Sequence, residues 1–143
     1  MISVDEAIAR ILQSASLQAA AETVPLQASL DRMLAEAIHA PMSSPPWDNS
    51  AMDGYAVRAA DVVAGITLPV SQRICAGDAP QALTPQTAAR IFTGAPMPAG
   101  SDTVVIQENA DANGNEVTFR EPCKPGANVR RQGHDVEKGS VLL

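Results

Sequence analysis

At 143 residues, 45% of them hydrophobic, the chain has the size of one domain or two small lobes and is too apolar to be disordered. A net charge of −6 with no basic stripe excludes nucleic acid as a partner. No apolar run approaches the roughly 20 residues of a membrane span, so no membrane partner is expected.

Asp5 and Glu6 stand where a secretory leader would carry basic residues, which makes the cytoplasm the expected location. Aromatic residues make up only 3% of the chain, so its core must be built from Ala, Val, Ile, Leu and Met. Eleven Pro and nine Gly, mostly after residue 40, predict many short strands joined by turns, with few long helices.

The first element is a helix. Ser3 and Glu6 form a capping box, and Val4, Ala7, Ile8, Ile11 and Leu12 recur at helical spacing. Acidic residues in the first turn suit the positive end of the helix dipole. The apolar stripe is expected to pack on the helix's own domain. Next, residues 23–26 are expected to be extended, because Pro25 disfavours helix at Val24. Residues 30–38 fit either a short helix or a turn followed by a strand.

Residues 41–46, with three prolines, form an extended connector and the expected lobe boundary. Beyond it the chain turns β-like. Residues 55–57, Thr67–Ile74 and Thr103–Ile106 are the predicted strands, and Asn113-Gly114 signals a hairpin leading into the alternating Val117 and Phe119. Pro122, Pro125 and Gly126 then end that strand. The chain stops on Val141-Leu142-Leu143, inside an apolar run, and is therefore expected to be a piece of a longer protein.

Three loop segments concentrate chemistry. Asp53, beside Gly54, lies where backbone can approach a ligand closely, although Asp and Asn near turns also serve the backbone itself. Thr93 follows an apolar pair and precedes Gly94, with its hydroxyl available either to a ligand or to its own loop. Arg130 and Arg131 can bind an anion or pair with surface carboxylates, and Asp135 follows on the same loop. His134 lacks a recognisable partner and is left out of the site. Ser50 lacks the strand–turn–helix elbow of a hydrolase nucleophile. Cys75 and Cys123 form no CxxC pair, so two reduced thiols are expected rather than a zinc site. From the residues alone, carboxylate- and Thr-bearing loops on a β-rich domain could serve Mg²⁺, a cation that takes oxygen ligands.

Residues 48–57, DNSAMDGYAV, resemble the signature of the molybdopterin molybdenumtransferase family, which includes the E domain of gephyrin. Residues 93–100, 102–108 and 128–135 agree with it in order and spacing, so the resemblance spans essentially the whole chain. It implies an α+β, β-rich architecture. Residues 1–40 would form an elongated discontinuous lobe, continued by 133–143, and residues 41–132 an inserted β-barrel-like lobe. The fuller enzyme would add a pterin-binding α/β domain and a C-terminal β domain.

The resemblance also implies an activity: insertion of molybdenum, from molybdate, into adenylylated molybdopterin during molybdenum cofactor biosynthesis, with Mg²⁺ assisting. It makes Asp53, Thr93 and Asp135 catalytic, Asp53 and Asp135 metal-holding, and Arg131 a weaker substrate-binding candidate. Family members are homodimers with active sites shared between subunits. A chain without the pterin domain is then expected to be inactive by itself. The alternative from another class is a non-catalytic dimerisation or partner-docking module.

Overall fold

The computed structural model describes residues 2–15 and 20–143 and divides into two compact units, Met1–Ala37 and Ile38–Leu143. The first unit holds helix α1, Val4–Ser14, which is the one α-helix among the described residues. Its N-terminus is closed as the sequence predicts: Ser3 Oγ accepts the Glu6 N–H at 3.2 Å, and Arg10 reaches back one turn to Glu6 at 2.9 Å. The apolar stripe does not behave as expected. No α1 residue is buried, and Val4, Ile11 and Leu12 are 75%, 66% and 68% exposed. The expected packing of this stripe on its own domain is therefore absent.

The rest of the unit is irregular. Pro25 is extended, at φ −57° and ψ 148°, and a single 3₁₀ turn, Leu26–Ala28, begins at the last residue of the segment expected to be extended. Residues 30–37 form neither helix nor strand; Ser29 Oγ closes on Leu26 O at 2.6 Å, and Asp31 takes φ 62°, which ends any regular run. Arg32 pairs with Glu22.

The second unit is mostly strands: β1 (Asn49–Ser50), β2 (Gly54–Val57), β3 (Thr67–Ile74), β4 (Ala88–Ile91), β5 (Thr103–Ile106), β6 (Ala110–Asn113), β7 (Glu116–Phe119) and β8 (Val129–Arg130). Six of them form one sheet in the order β5-β2-β4-β3-β7-β6, which curls into a half-barrel. β3 is the bent member. Its first residues pair antiparallel with β7 and its later ones parallel with β4, with a shift in register between Val70 and Gln72. Such an irregularity bends a strand and increases its local twist, as a curling sheet requires.

Alternation along the strands creates two apolar clusters. Tyr55, Val57, Leu68, Val117 and Phe119 pack in one, with Phe119 fully buried edge-on to Tyr55 at 6.1 Å between centroids. Ala56, Ile74, Ala89, Ile91 and Val104 pack in the other. β4 lies between β2 and β3 with Ala88 and Ala89 fully buried, a central strand that the sequence did not reveal because alanine favours strands weakly. The strands expected at 67–74 and 103–106 are present, and the Asn113-Gly114 signal joins β6 to β7.

A separate pair, β1 with β8, ties the start of the strand-rich region to its end. Bridges His39↔Val141 and Ser44↔Val136 extend this antiparallel arrangement, so segment 38–44 runs beside segment 136–142.

Candidate active site

Asp53 and Thr93 meet because the sheet brings their strands together. β2 and β4 are antiparallel with Gly54 opposite Ile91, so the residue before Gly54 faces the residues just beyond Ile91. That pairing depends on glycine. A Cβ on Gly54 would lie 2.0 Å from Val105 O on the neighbouring β5, so only glycine lets the strands close at this point. Gly94, immediately after Thr93, takes φ 81° and turns the chain sharply away.

Asp53 Oδ1 accepts two bonds, from Thr93 N–H at 2.8 Å and from Thr93 Oγ1 at 2.7 Å. Oδ2 has no hydrogen-bond partner among the described residues. The Asp53 carboxyl is held below its ordinary value chiefly by the Thr93 backbone bond, then by the Thr93 hydroxyl, with a smaller contribution from the charge of Arg90. Asp53 is thus a carboxylate at neutral pH, half engaged and half free.

The loop after β8 is organised differently. Asp48 accepts the Gln132 N–H at 2.8 Å and Arg131 Nη1 at 2.5 Å, and its carboxyl is lowered first by that backbone bond. Arg131, the substrate-binding candidate, is therefore committed to an ion pair. Asp135 pairs with Arg130 at 2.6 Å, which lowers its carboxyl, and its N–H donates to Ser44 O at 2.9 Å. Because β1 and β8 are antiparallel, Asp53 and Asp135 follow opposite ends of that ladder, and no hydrogen bond joins them. The structure brings Asp53 and Thr93 together; it does not join Asp135 to them.

Several remaining candidates are accounted for. The Ser50 hydroxyl is buried and donates to Met52 O at 2.5 Å, spent on its own turn. Cys75 and Cys123 are free thiols, and burial pushes that of Cys123 up. Among the described residues no group of three or more His, Cys, Asp or Glu converges as a metal cage. Sequence reasoning missed Asp48 as a clasp and also missed Arg90, whose Nη1 donates to Gly54 O at 3.0 Å and Nη2 to Gln107 at 2.7 Å. The alternation of Arg90 in β4 with Phe92 just beyond its end was the available signal.

Of two clefts, one of about 400 Å³ is lined by Arg73 and Asp78 and one of about 280 Å³ by Met52, Val104 and Asn128, and neither is lined by Asp53, Thr93 or Asp135. Thr93 is exposed and Asp53 half-buried, so the pair is accessible to what docks against it.

Residues 2–143 match the family model described as the MoeA N-terminal region (domain I and II). The chain is similar to the molybdopterin molybdenumtransferase of Haemophilus influenzae, with 41% identity over 145 residues that cover 100% of this chain and 36% of that protein. It is also similar to the molybdopterin molybdenumtransferase of Synechococcus elongatus, at 42% identity, covering 100% of this chain and 38% of the relative. Among solved structures, the molybdopterin biosynthesis moea protein of Pyrococcus horikosii superimposes with a TM-score of 0.86 at 34% identity, covering 100% of this chain and 38% of that one. The chain therefore spans little more than a third of the length of these relatives.

Proposed function

The chain belongs to the MoeA N-terminal region (domain I and II) family, and we propose from that membership that it supplies one half of the active site of a molybdopterin molybdenumtransferase. In this reading molybdate and adenylylated molybdopterin are the substrates. Water cleaves the phosphoanhydride, releasing AMP and leaving the pterin its phosphate, and the two dithiolene thiols bind molybdenum as one molybdate oxygen leaves as water. The observation that carries the proposal is the Asp53–Thr93 pair, an ionised carboxylate with one oxygen anchored and the other open to what docks against it.

Asp53 is the proposed catalytic carboxylate, and Thr93 holds it and orients water or phosphate. On the family membership alone, Asp135, with one oxygen on Arg130, and Arg131, on Asp48, are proposed to reach the shared site from the β8 loop, at the opposite end of the β1·β8 ladder from Asp53. A divalent cation such as Mg²⁺ fits this donor set, because it commonly takes one or two carboxylates, substrate phosphate and water and needs no full protein cage. Bound there, it would supply positive charge between the carboxylates and an anionic substrate.

The architecture is consistent with a lobe inserted over residues 41–132, since the entering segment 38–44 runs beside the leaving segment 136–142. A homodimer that shares its active site accounts for two otherwise unexplained features. One is the accessible Asp53–Thr93 pair; the other is the exposed apolar face of α1. Among the described residues no helix is long and apolar enough to cross a membrane, and a cytoplasmic location is proposed for the biosynthetic enzyme.

The test is to supply adenylylated molybdopterin and molybdate to the 143-residue chain and, separately, to the complete protein that carries it. Molybdenum insertion by the complete protein alone is expected. A complete protein that inserts no molybdenum overturns the reading, and turnover by the 143-residue chain overturns the shared site.

A further inference from the structure

Six of the chain's eight arginines are in ion pairs with carboxylates, namely Arg10, Arg32, Arg58, Arg120, Arg130 and Arg131. The remaining two, Arg73 and Arg90, are register partners across the parallel β3·β4 pair and so project from the same face of the sheet. Both guanidinium groups rest on Phe92, with Cζ 4.8 Å and 4.6 Å from the ring centroid. Arg73 has no hydrogen-bond or ion-pair partner among the described residues, whereas Arg90 is fixed by Gly54 O and Gln107. Thr93 is the next residue after Phe92.

Two adjacent unpaired cations are an unusual placement in a chain with sixteen Asp and Glu and a net charge of −6. Like charges in register on neighbouring strands repel, and the shared aromatic ring offsets that repulsion only in part. An anion reached by both forks would resolve it, because planar guanidinium groups match oxyanions bidentately.

We propose that Arg73 and Arg90, braced on Phe92, form an oxyanion clamp that takes a phosphoanhydride group and delivers it beside Asp53 and Thr93. The clamp stands on its own geometry; the choice of a phosphoanhydride rests on the transferase reading above. Arg90 is the fixed jaw, tied to the backbone ahead of Tyr55 and stacked over that ring at 5.2 Å. Arg73 is the free jaw. The clamp also answers a charge difficulty, since it places cations where an anionic substrate would otherwise meet the Asp53 carboxylate.

The experiment is calorimetric titration of the 143-residue chain with inorganic pyrophosphate, with molybdate and sulfate as parallel arms. Saturable pyrophosphate binding is expected, weakened about ten-fold in Arg73→Gln, with Arg73→Lys intermediate and Arg120→Gln unchanged. Arg73 makes no hydrogen bond or ion pair among the described residues, so its replacement removes only the Phe92 contact and should move the urea midpoint little, which separates lost binding from lost folding. No saturable binding, or binding indifferent to Arg73→Gln, overturns the clamp. Preference for molybdate or sulfate over pyrophosphate overturns the ligand class. Turnover is not involved, so a failed clamp leaves the role of Asp53 standing, and an inactive complete protein leaves the clamp standing.

Discussion

Thr93 closes both of its donors, the backbone N–H at 2.8 Å and the hydroxyl at 2.7 Å, on a single oxygen of Asp53. The two residues are forty positions apart and flank different strands, Asp53 just before β2 and Thr93 just after β4, so this contact exists only in the folded sheet. It fixes the charge state and the orientation of the carboxylate together.

Thr93→Val keeps the shape and the backbone bond but removes the hydroxyl. The Asp53 carboxyl should then move part of the way back up toward its ordinary value of 3.8. Carboxyl NMR titration of wild type and variant reads this directly. An unmoved Asp53 would show that the hydroxyl contributes nothing to its ionisation.

Acid should destabilise the fold in a defined window. Asp48, Asp53, Asp111 and Asp135 all have lowered carboxyls, from the Gln132, Thr93, Arg120 and Arg130 bonds respectively. A lowered folded value means that the unfolded chain binds more protons in this range. The contribution is therefore complete above about pH 4 and is lost as pH falls through the folded values. Chemical denaturation across pH 2–7 should give a plateau above about pH 5 and a decline below about pH 4.

Gly54→Ala tests the close approach that positions the site. With Val105 O 2.0 Å from the added carbon, β2 and β5 must separate. We expect a loss of about 1–3 kcal/mol in urea unfolding, together with disruption of the Asp53–Thr93 contact. Wild-type stability would mean that the sheet opens at no cost.

Phe119→Ala probes the core on which β2 rests. The ring is fully buried and sits edge-on to Tyr55 at an interplanar angle of 83°. Its removal should cost about 3–5 kcal/mol, measured by the same unfolding experiment.

Much of the strand content was legible before folding, and the reasons are local. Thr67–Ile74 and Thr103–Ile106 are β-branched and apolar enough to declare themselves, and Ser3 with Glu6 marked the start of α1. β4 was not legible, since Ala88 and Ala89 owe their burial to the neighbouring strands and not to their own propensity. The exposed stripe of α1 could not be read either, because periodicity identifies an apolar face without saying what covers it. At the site, Asp53 and Thr93 were singled out by their glycine neighbours and the family motif. Their mutual bond, and the unpaired state of Arg73 and Arg90, depend on cross-strand register that no local pattern encodes.

Molybdenum insertion by the complete protein carrying Asp53→Ala, assayed with adenylylated molybdopterin and molybdate, tests the proposed active site most directly. A fall of about a hundred-fold or more is expected, with the urea midpoint little changed. Insertion at the wild-type rate by a folded Asp53→Ala protein would remove Asp53 from the reaction and contradict the proposed active site.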